Sequence, residues 1–109
     1  MNRYIAIKTS FEAIHCWPNC PFEEVAFLRN PHRHVFHVVV KWPVQHNDRD
    51  REFIMAKHDV ENFVGNSYQG MNLGAMSCEM IAEAILNSFP DACFCSVYED
   101  DENGAELSR

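Results

Sequence analysis

Alternating apolar and polar residues mark the most regular predicted strand of the chain, between His32 and Trp42. β-Branched and aromatic residues dominate this stretch and no glycine interrupts it, which is typical of a β-strand. Because successive side chains point to opposite faces, His32 and His34 share a face with the apolar residues that follow them. These residues are Phe36, Val38, Val40 and Trp42. Pro43 is expected to end the strand, since proline cannot donate to a sheet ladder.

Apolar spacing along the rest of the chain predicts two further strands and two helices. The predicted elements are a strand over 3–15, the strand His32–Trp42, a helix from about Asp50 to Val64, a helix capped by Ser77 and ended by Pro90, and a strand over Ala92–Tyr98. Between the first two strands, Cys16 to Pro31 is predicted as a loop with a short helical turn at Phe22–Leu28. Gly65 and Asn66 fit the end of the first helix. The predicted order is ββααβ.

Composition and charge narrow the class of protein. The chain has 109 residues, of which 47% are hydrophobic, so we expect one domain over residues 1–109. A net charge of −7 argues against a phosphate-backbone binder, which needs a basic surface, and no nucleic-acid partner is expected. Much of the negative charge lies near the end, which predicts a solvated acidic tail from about residue 100.

The expected compartment follows from the apolar runs and the cysteines. No apolar run approaches the roughly 20 residues needed to span a bilayer, so no membrane partner is expected. The apolar part of the first residues is too short for a secretory signal, and a cytoplasmic location is therefore expected. The odd number of cysteines, five, favours free thiols over a disulfide framework.

The histidines carry the candidate chemistry. His32 and His34, at i and i+2 on one strand face, supply two ligands of a three-histidine metal site, and His15 near the end of the first strand supplies the third. Neutral imidazole is a common zinc ligand, and three histidines leave a fourth position for water or substrate. The alternative is a set of strand histidines satisfied by hydrogen bonds.

Five short motifs occur in a set order over about residues 3–100. Phe11-Glu12-Ala13-Ile14-His15 fits F-x-A-x-H, His32-Arg33-His34 is similar to H-G-H, and Val97-Tyr98-Glu99-Asp100 is similar to V-x-E-T. Glu52–Lys57 and Met76–Ala82 are similar to two helix starts, D-F-x-x-L-K and P-T-S-E-N-x-A. Together these motifs resemble the 6-pyruvoyl-tetrahydropterin synthase and 6-carboxytetrahydropterin synthase family, the T-fold proteins.

The resemblance implies a fold, a reaction and a ligand set. The fold is an α+β T-fold, with an antiparallel sheet and two helices packed on one face. The implied reaction is a zinc-dependent lyase reaction on 7,8-dihydroneopterin triphosphate, on the way to a deazaguanine or a pterin cofactor. The resemblance places zinc on His15, His32 and His34, and it assigns Glu99 and Glu79 to binding a pterin or purine-like ring. It also implies a homo-oligomer, a hexamer built from trimers.

Several positions depart from the family pattern. Arg33 replaces the glycine of H-G-H and is expected to add bulk beside the metal. Leu28 stands where the family commonly has its catalytic cysteine, so Cys20, in the same loop, is the catalytic candidate; the alternative is a loop thiol packed against Trp17 and Phe22. The L-D-H motif is missing. These losses keep open a non-catalytic T-fold protein that binds a pterin, purine or nucleotide.

Overall fold

The protein folds into one antiparallel sheet whose apolar face is covered by two helices. The computed structural model describes residues 1–109. The elements in chain order are β1 (Tyr4–His15), a 3₁₀ helix (Glu23–Arg29), β2 (His32–Pro43), α1 (Phe53–Ser67), α2 (Cys78–Ser88), β3 (Phe94–Glu99) and β4 (Asn103–Ser108). The four strands lie in the order β1-β2-β3-β4. The predicted α+β class and antiparallel sheet are confirmed, but the order is ββααββ, with one strand more than predicted.

Strand alternation separates a core face of the sheet from an open face. β1 and β2 pair over their full length, from Tyr4 opposite Pro43 to His15 opposite His32. In β2 the even-numbered residues from Phe36 to Trp42 are buried, as the alternation predicted. α1 packs on β1, and α2 packs on β3 and β4. The core therefore lies between this face and the two helices, and it continues up to the histidines at one end of the sheet.

The two helices differ in how well the sequence predicts their ends. In α2, the Ser77 hydroxyl accepts a hydrogen bond from the Met80 N–H at 3.1 Å, so the predicted cap is confirmed. α1 begins at Phe53 rather than near Asp50, because the Glu52 carboxylate caps the first turn. It also runs through Gly65 to Ser67 instead of stopping there. No helix of the chain is both long and apolar enough to cross a membrane.

The predicted acidic tail is instead a hairpin. Asn103–Ser108 pair with β3 as strand β4, and Ala105 and Leu107 pack against the core. Glu106 lies on the open face, where its carboxylate accepts a hydrogen bond from the Tyr98 hydroxyl at 2.8 Å. The Arg109 guanidinium then donates to four backbone carbonyls at and after the end of α2 and before β3. These carbonyls belong to Leu86, Phe89, Pro90 and Ala92. The acidic residues are therefore the outward half of an ordered strand and its turn.

A substitution at Gly104 tests whether this hairpin forms, because the paired strands leave no room for a side chain there. A Cβ atom on Gly104 would meet the Val97 carbonyl oxygen, and it would lie 2.6 Å from the Tyr98 Cα. Both are backbone atoms that cannot move cheaply. Gly104→Ala is expected to lower the free energy of unfolding by about 1–3 kcal/mol, as overpacking does. Urea denaturation followed by circular dichroism measures this change.

The matched control for this prediction is Gly65→Ala. Gly65 lies inside α1, and nothing surrounds its Cβ position within 4 Å. Because alanine is the better helix former, this variant should be more stable by about 1 kcal/mol. Two variants of equal stability would contradict the pairing of β4 with β3.

Candidate metal centre

Four side chains from three strands meet at one end of the sheet. His15 ends β1, His32 and His34 begin β2, and Glu99 ends β3. One potential ligand atom from each of the four lies within 4.8 Å of all the others. The register accounts for this meeting, since His15 lies opposite His32 and Glu99 lies opposite Phe36, two residues beyond His34. The three histidines selected from the sequence are brought together as predicted, and Glu99 joins them.

The outer nitrogen of each imidazole, Nδ1, faces an oxygen that can only accept a hydrogen bond. His15 Nδ1 lies 2.8 Å from the Met76 carbonyl oxygen, and His32 Nδ1 lies 2.8 Å from that of Asn30. His34 Nδ1 lies 2.6 Å from Oδ2 of Asp100. An oxygen of this kind accepts a proton and has none to give, so each Nδ1 carries the hydrogen. In the neutral rings, each Nε2 atom therefore carries no hydrogen and presents a free lone pair.

These lone pairs converge without a donor between them. The Nε2 atoms of His15 and His32 are buried, and no hydrogen-bond donor within the chain faces either of them. Oε2 of Glu99 lies 2.6 Å from His15 Nε2 and 3.3 Å from His34 Nε2, which adds a further acceptor. Buried acceptors that face one another are unfavourable unless a cation lies between them. The group can therefore hold a metal ion, and the set of three nitrogens and one carboxylate oxygen fits a divalent transition metal or zinc.

In the absence of a metal, a proton on His15 is the available cation. Glu99, which accepts from the His15 ring, raises the pKa of His15, while burial of the ring opposes the shift. The same contact with His15 lowers the pKa of Glu99. Phe36, which is fully buried, lies under the site, with its ring centre 5.1 Å from that of His15 and 5.8 Å from that of His34. This apolar floor excludes water from one side and strengthens the electrostatic interactions.

The other residues selected from the sequence lie outside this group. Cys20 is buried, and its thiol faces the carbonyl oxygens of Phe22 and Val25 in its own loop, at 3.7 and 3.8 Å. Its catalytic role remains a prediction. Glu79 is exposed in the first turn of α2, so its role in ring binding also stays a prediction. Cys78, which precedes it, is buried, and burial together with the charge of Glu99 raises its pKa to about 12.

Arg33 does not crowd the candidate site. Its guanidinium Nε lies 2.7 Å from Oε1 of Glu12 on the opposite, open face of the sheet. The expectation that Arg33 adds bulk beside the metal is wrong, because the residue between two inward-facing histidines of a strand must point outward. Sequence reasoning also missed Asp100, which contacts His34 but was assigned to the acidic tail.

Comparison with protein-family models finds no matching family, and comparison with curated proteins finds no significant match.

The pKa shifts of His15 and Glu99 predict a stability maximum of the metal-free protein in weak acid. The raised pKa of His15 means that its contribution is present below pH 6.5 and is lost as the pH rises through the raised value. The lowered pKa of Glu99 means that its contribution is present above pH 4.5 and is lost as the pH falls through the lowered value. The curve of stability against pH should therefore have two falling limbs, an upper one toward high pH from His15 and a lower one toward low pH from Glu99. Thermal unfolding of chelator-treated protein across the pH range measures both limbs.

Two comparisons make this prediction specific. Glu99→Gln should flatten both limbs, whereas Glu102→Gln, at an exposed residue of the hairpin turn, should leave them unchanged. Excess zinc should reverse the upper limb, because metal binding needs deprotonated imidazoles and improves as the pH rises. Wild-type and Glu99→Gln proteins with the same pH profile would show that the pair does not couple to folding.

Proposed function

We propose that this chain is a compact zinc-dependent lyase of the 6-pyruvoyl/6-carboxytetrahydropterin synthase type that acts on 7,8-dihydroneopterin triphosphate. The observation that carries the proposal is the convergence of three bare Nε2 atoms, from His15, His32 and His34, with a carboxylate at the same end of an antiparallel sheet. The ordered motifs of the sequence and the α+β class of the fold support the proposal. The cytoplasmic location stays part of the proposal.

The proposed roles divide between the metal ligands and the ring anchor. His15, His32 and His34 would hold zinc, which supplies Lewis-acid polarisation of the hydroxylated side chain of the substrate. Glu99, whose side chain is 26% exposed, can be reached by a ligand and would accept hydrogen bonds from the N–H groups of the pterin ring. Phe36 and the core beneath it would keep water away from the inner side of the site. Cys20 is the proposed proton-transfer group; it would act only after its loop rearranges.

A second function is favoured by the position of Glu99. In this structure the carboxylate faces His15 and His34, so Glu99 would supply a fourth ligand beside the three histidines. Structural zinc sites are closed by four protein ligands, whereas catalytic sites keep one position open. Together with the loop position of Cys20, this arrangement supports a non-catalytic T-fold protein that binds a pterin, purine or nucleotide.

Assembly into a homo-oligomer, a hexamer built from trimers, is proposed from the resemblance. The outer edge of β4 pairs with no other strand of the chain, and only one stretch of β1, near Glu12 to Ile14, is bonded on its outer side. An unpaired strand edge is compatible with pairing between subunits. Light scattering coupled to size-exclusion chromatography tests this part independently of the metal.

Metal content tests the histidine site. Wild-type protein purified without chelator is expected to contain about one zinc per chain by plasma mass spectrometry, and His32→Ala/His34→Ala should contain almost none. The matched control is His46→Ala/His58→Ala, which removes two exposed histidines outside the group. It should keep the wild-type metal content. A metal-free wild type would overturn the zinc-dependent lyase.

Glu99 then distinguishes the enzyme from the binder. If Glu99 anchors the ring, Glu99→Gln should leave zinc content unchanged and abolish turnover of 7,8-dihydroneopterin triphosphate, because the amide presents a donor to the ring N–H groups. If Glu99 closes the metal site, the same variant should lower zinc affinity, and the wild type should show no turnover. Triphosphate release and zinc competition with a chromogenic chelator report the two properties separately.

A further inference from the structure

Asp100, the residue after β3, makes three polar contacts with β2. Its Oδ2 lies 2.6 Å from His34 Nδ1, and its Oδ1 accepts a hydrogen bond from the Val35 N–H at 3.0 Å. The Asp100 N–H donates to the Val35 carbonyl oxygen at 2.7 Å. Both carboxylate oxygens therefore face N–H groups, and the side chain spans a metal-ligand candidate and the backbone next to it.

The backbone of the hairpin turn directs Asp100 toward β2. Asp100 and Asp101 both have left-handed conformations, with φ of 53° and 59°. This region is disfavoured for residues other than glycine, although aspartate and asparagine tolerate it best. The Glu102 N–H closes the turn by donating to the Glu99 carbonyl oxygen at 2.9 Å. The turn thus keeps a mildly strained pair of residues, and the first of them contacts His34.

Asp100 is the one side chain among the three groups that fix the imidazole tautomers. The Nδ1 atoms of His15 and His32 face backbone carbonyls, which no substitution can remove. Only His34 depends on a side-chain acceptor. A carboxylate accepts and does not donate, so it requires the hydrogen on Nδ1 and leaves Nε2 as the lone pair that faces the other ligands.

We propose that Asp100 is a positioning residue of the metal centre, which fixes the tautomer and orientation of His34 so that Nε2 can bind the metal. The inference rests on the metal site of the proposed function. Carboxylate partners of this kind orient metal-bound histidines, and their loss typically costs roughly 10–100-fold in metal affinity. As a surface ion pair the contact would matter little, since the Asp100 side chain is 47% exposed. The contact matters because the carboxylate accepts the hydrogen on Nδ1 of His34, and not because the ion pair is strong.

Asp100→Asn tests the proposal with little change in shape, because asparagine also tolerates the left-handed conformation. The amide nitrogen of asparagine is a donor. It must face one of the two N–H groups, of His34 and Val35, from which the carboxylate now accepts hydrogen bonds. The backbone N–H of Val35 can only donate, whereas the imidazole can carry its hydrogen on either nitrogen, so the amide nitrogen is expected to face His34. The ring then takes the opposite tautomer, with hydrogen on Nε2, and loses its metal-binding lone pair. We expect zinc affinity, measured by chelator competition, to fall roughly 10–100-fold.

The matched control is Asp101→Asn, which changes the neighbouring left-handed, exposed residue of the same turn. This variant should bind zinc as tightly as the wild type. Equal losses in the two variants would attribute the effect to the turn and overturn the proposal. Unfolding temperatures of the metal-free proteins show whether either variant is misfolded.

A second readout reports the tautomer itself. Long-range proton–nitrogen NMR spectra of the metal-free protein should show the His34 hydrogen on Nδ1 in the wild type and on Nε2 in Asp100→Asn. A zinc-binding wild type with an equally tight Asp100→Asn variant would overturn the inference and leave the metal site intact. A wild type that binds no zinc would overturn the proposed function, and the NMR spectra would then decide the role of Asp100 alone.

Discussion

The candidate site depends on the register of one strand pair. β1 and β2 pair along their whole length, and this pairing places His15 opposite His32. Because side chains alternate with a period of two, a slip of one residue would turn His15 to the opposite face and bring Phe11 out of the core. Phe11 and Phe36 stack inside the core with ring centres 5.1 Å apart. Burial of these rings therefore also fixes the distance between the histidines, so that the stability of the fold and the geometry of the site have a common cause.

The site itself is a local exception to good internal pairing. Buried polar atoms normally have partners, but the Nε2 atoms of His15 and His32 meet no hydrogen-bond donor within the chain, and that of His15 faces the Glu99 carboxylate. Such exceptions are expected where a sequence keeps a function at some cost in stability. The oxygens of Met76, Asn30 and Asp100 each contact an outer nitrogen, Nδ1, of one of the three rings. The surroundings thus orient three lone pairs inward and leave the centre for a cation.

The sequence predicts the parts of this arrangement that have a local signal. Alternation identifies β1 and β2, Ser77 identifies the start of α2, and the spacing of His32 and His34 identifies their common face. The fourth strand was missed because its two inward residues, Ala105 and Leu107, are separated and preceded by acidic residues that indicate a solvated tail. Asp100 was missed for the same reason, since its contact with His34 exists only once the hairpin folds back onto β2.

The two proposed functions differ in where one carboxylate rests. The backbone of Glu99 is fixed, because it pairs with Phe36 across β2 and with Asn103 across β4. Its side chain is only partly buried, so it retains the freedom to face either the histidines or a ligand. Oε2 of Glu99 cannot turn toward a ligand in the open part of the site and still face the histidines. A ring that draws Oε2 away would therefore compete with the metal for it, and the coordination position needed for catalysis would open only when that ring is bound.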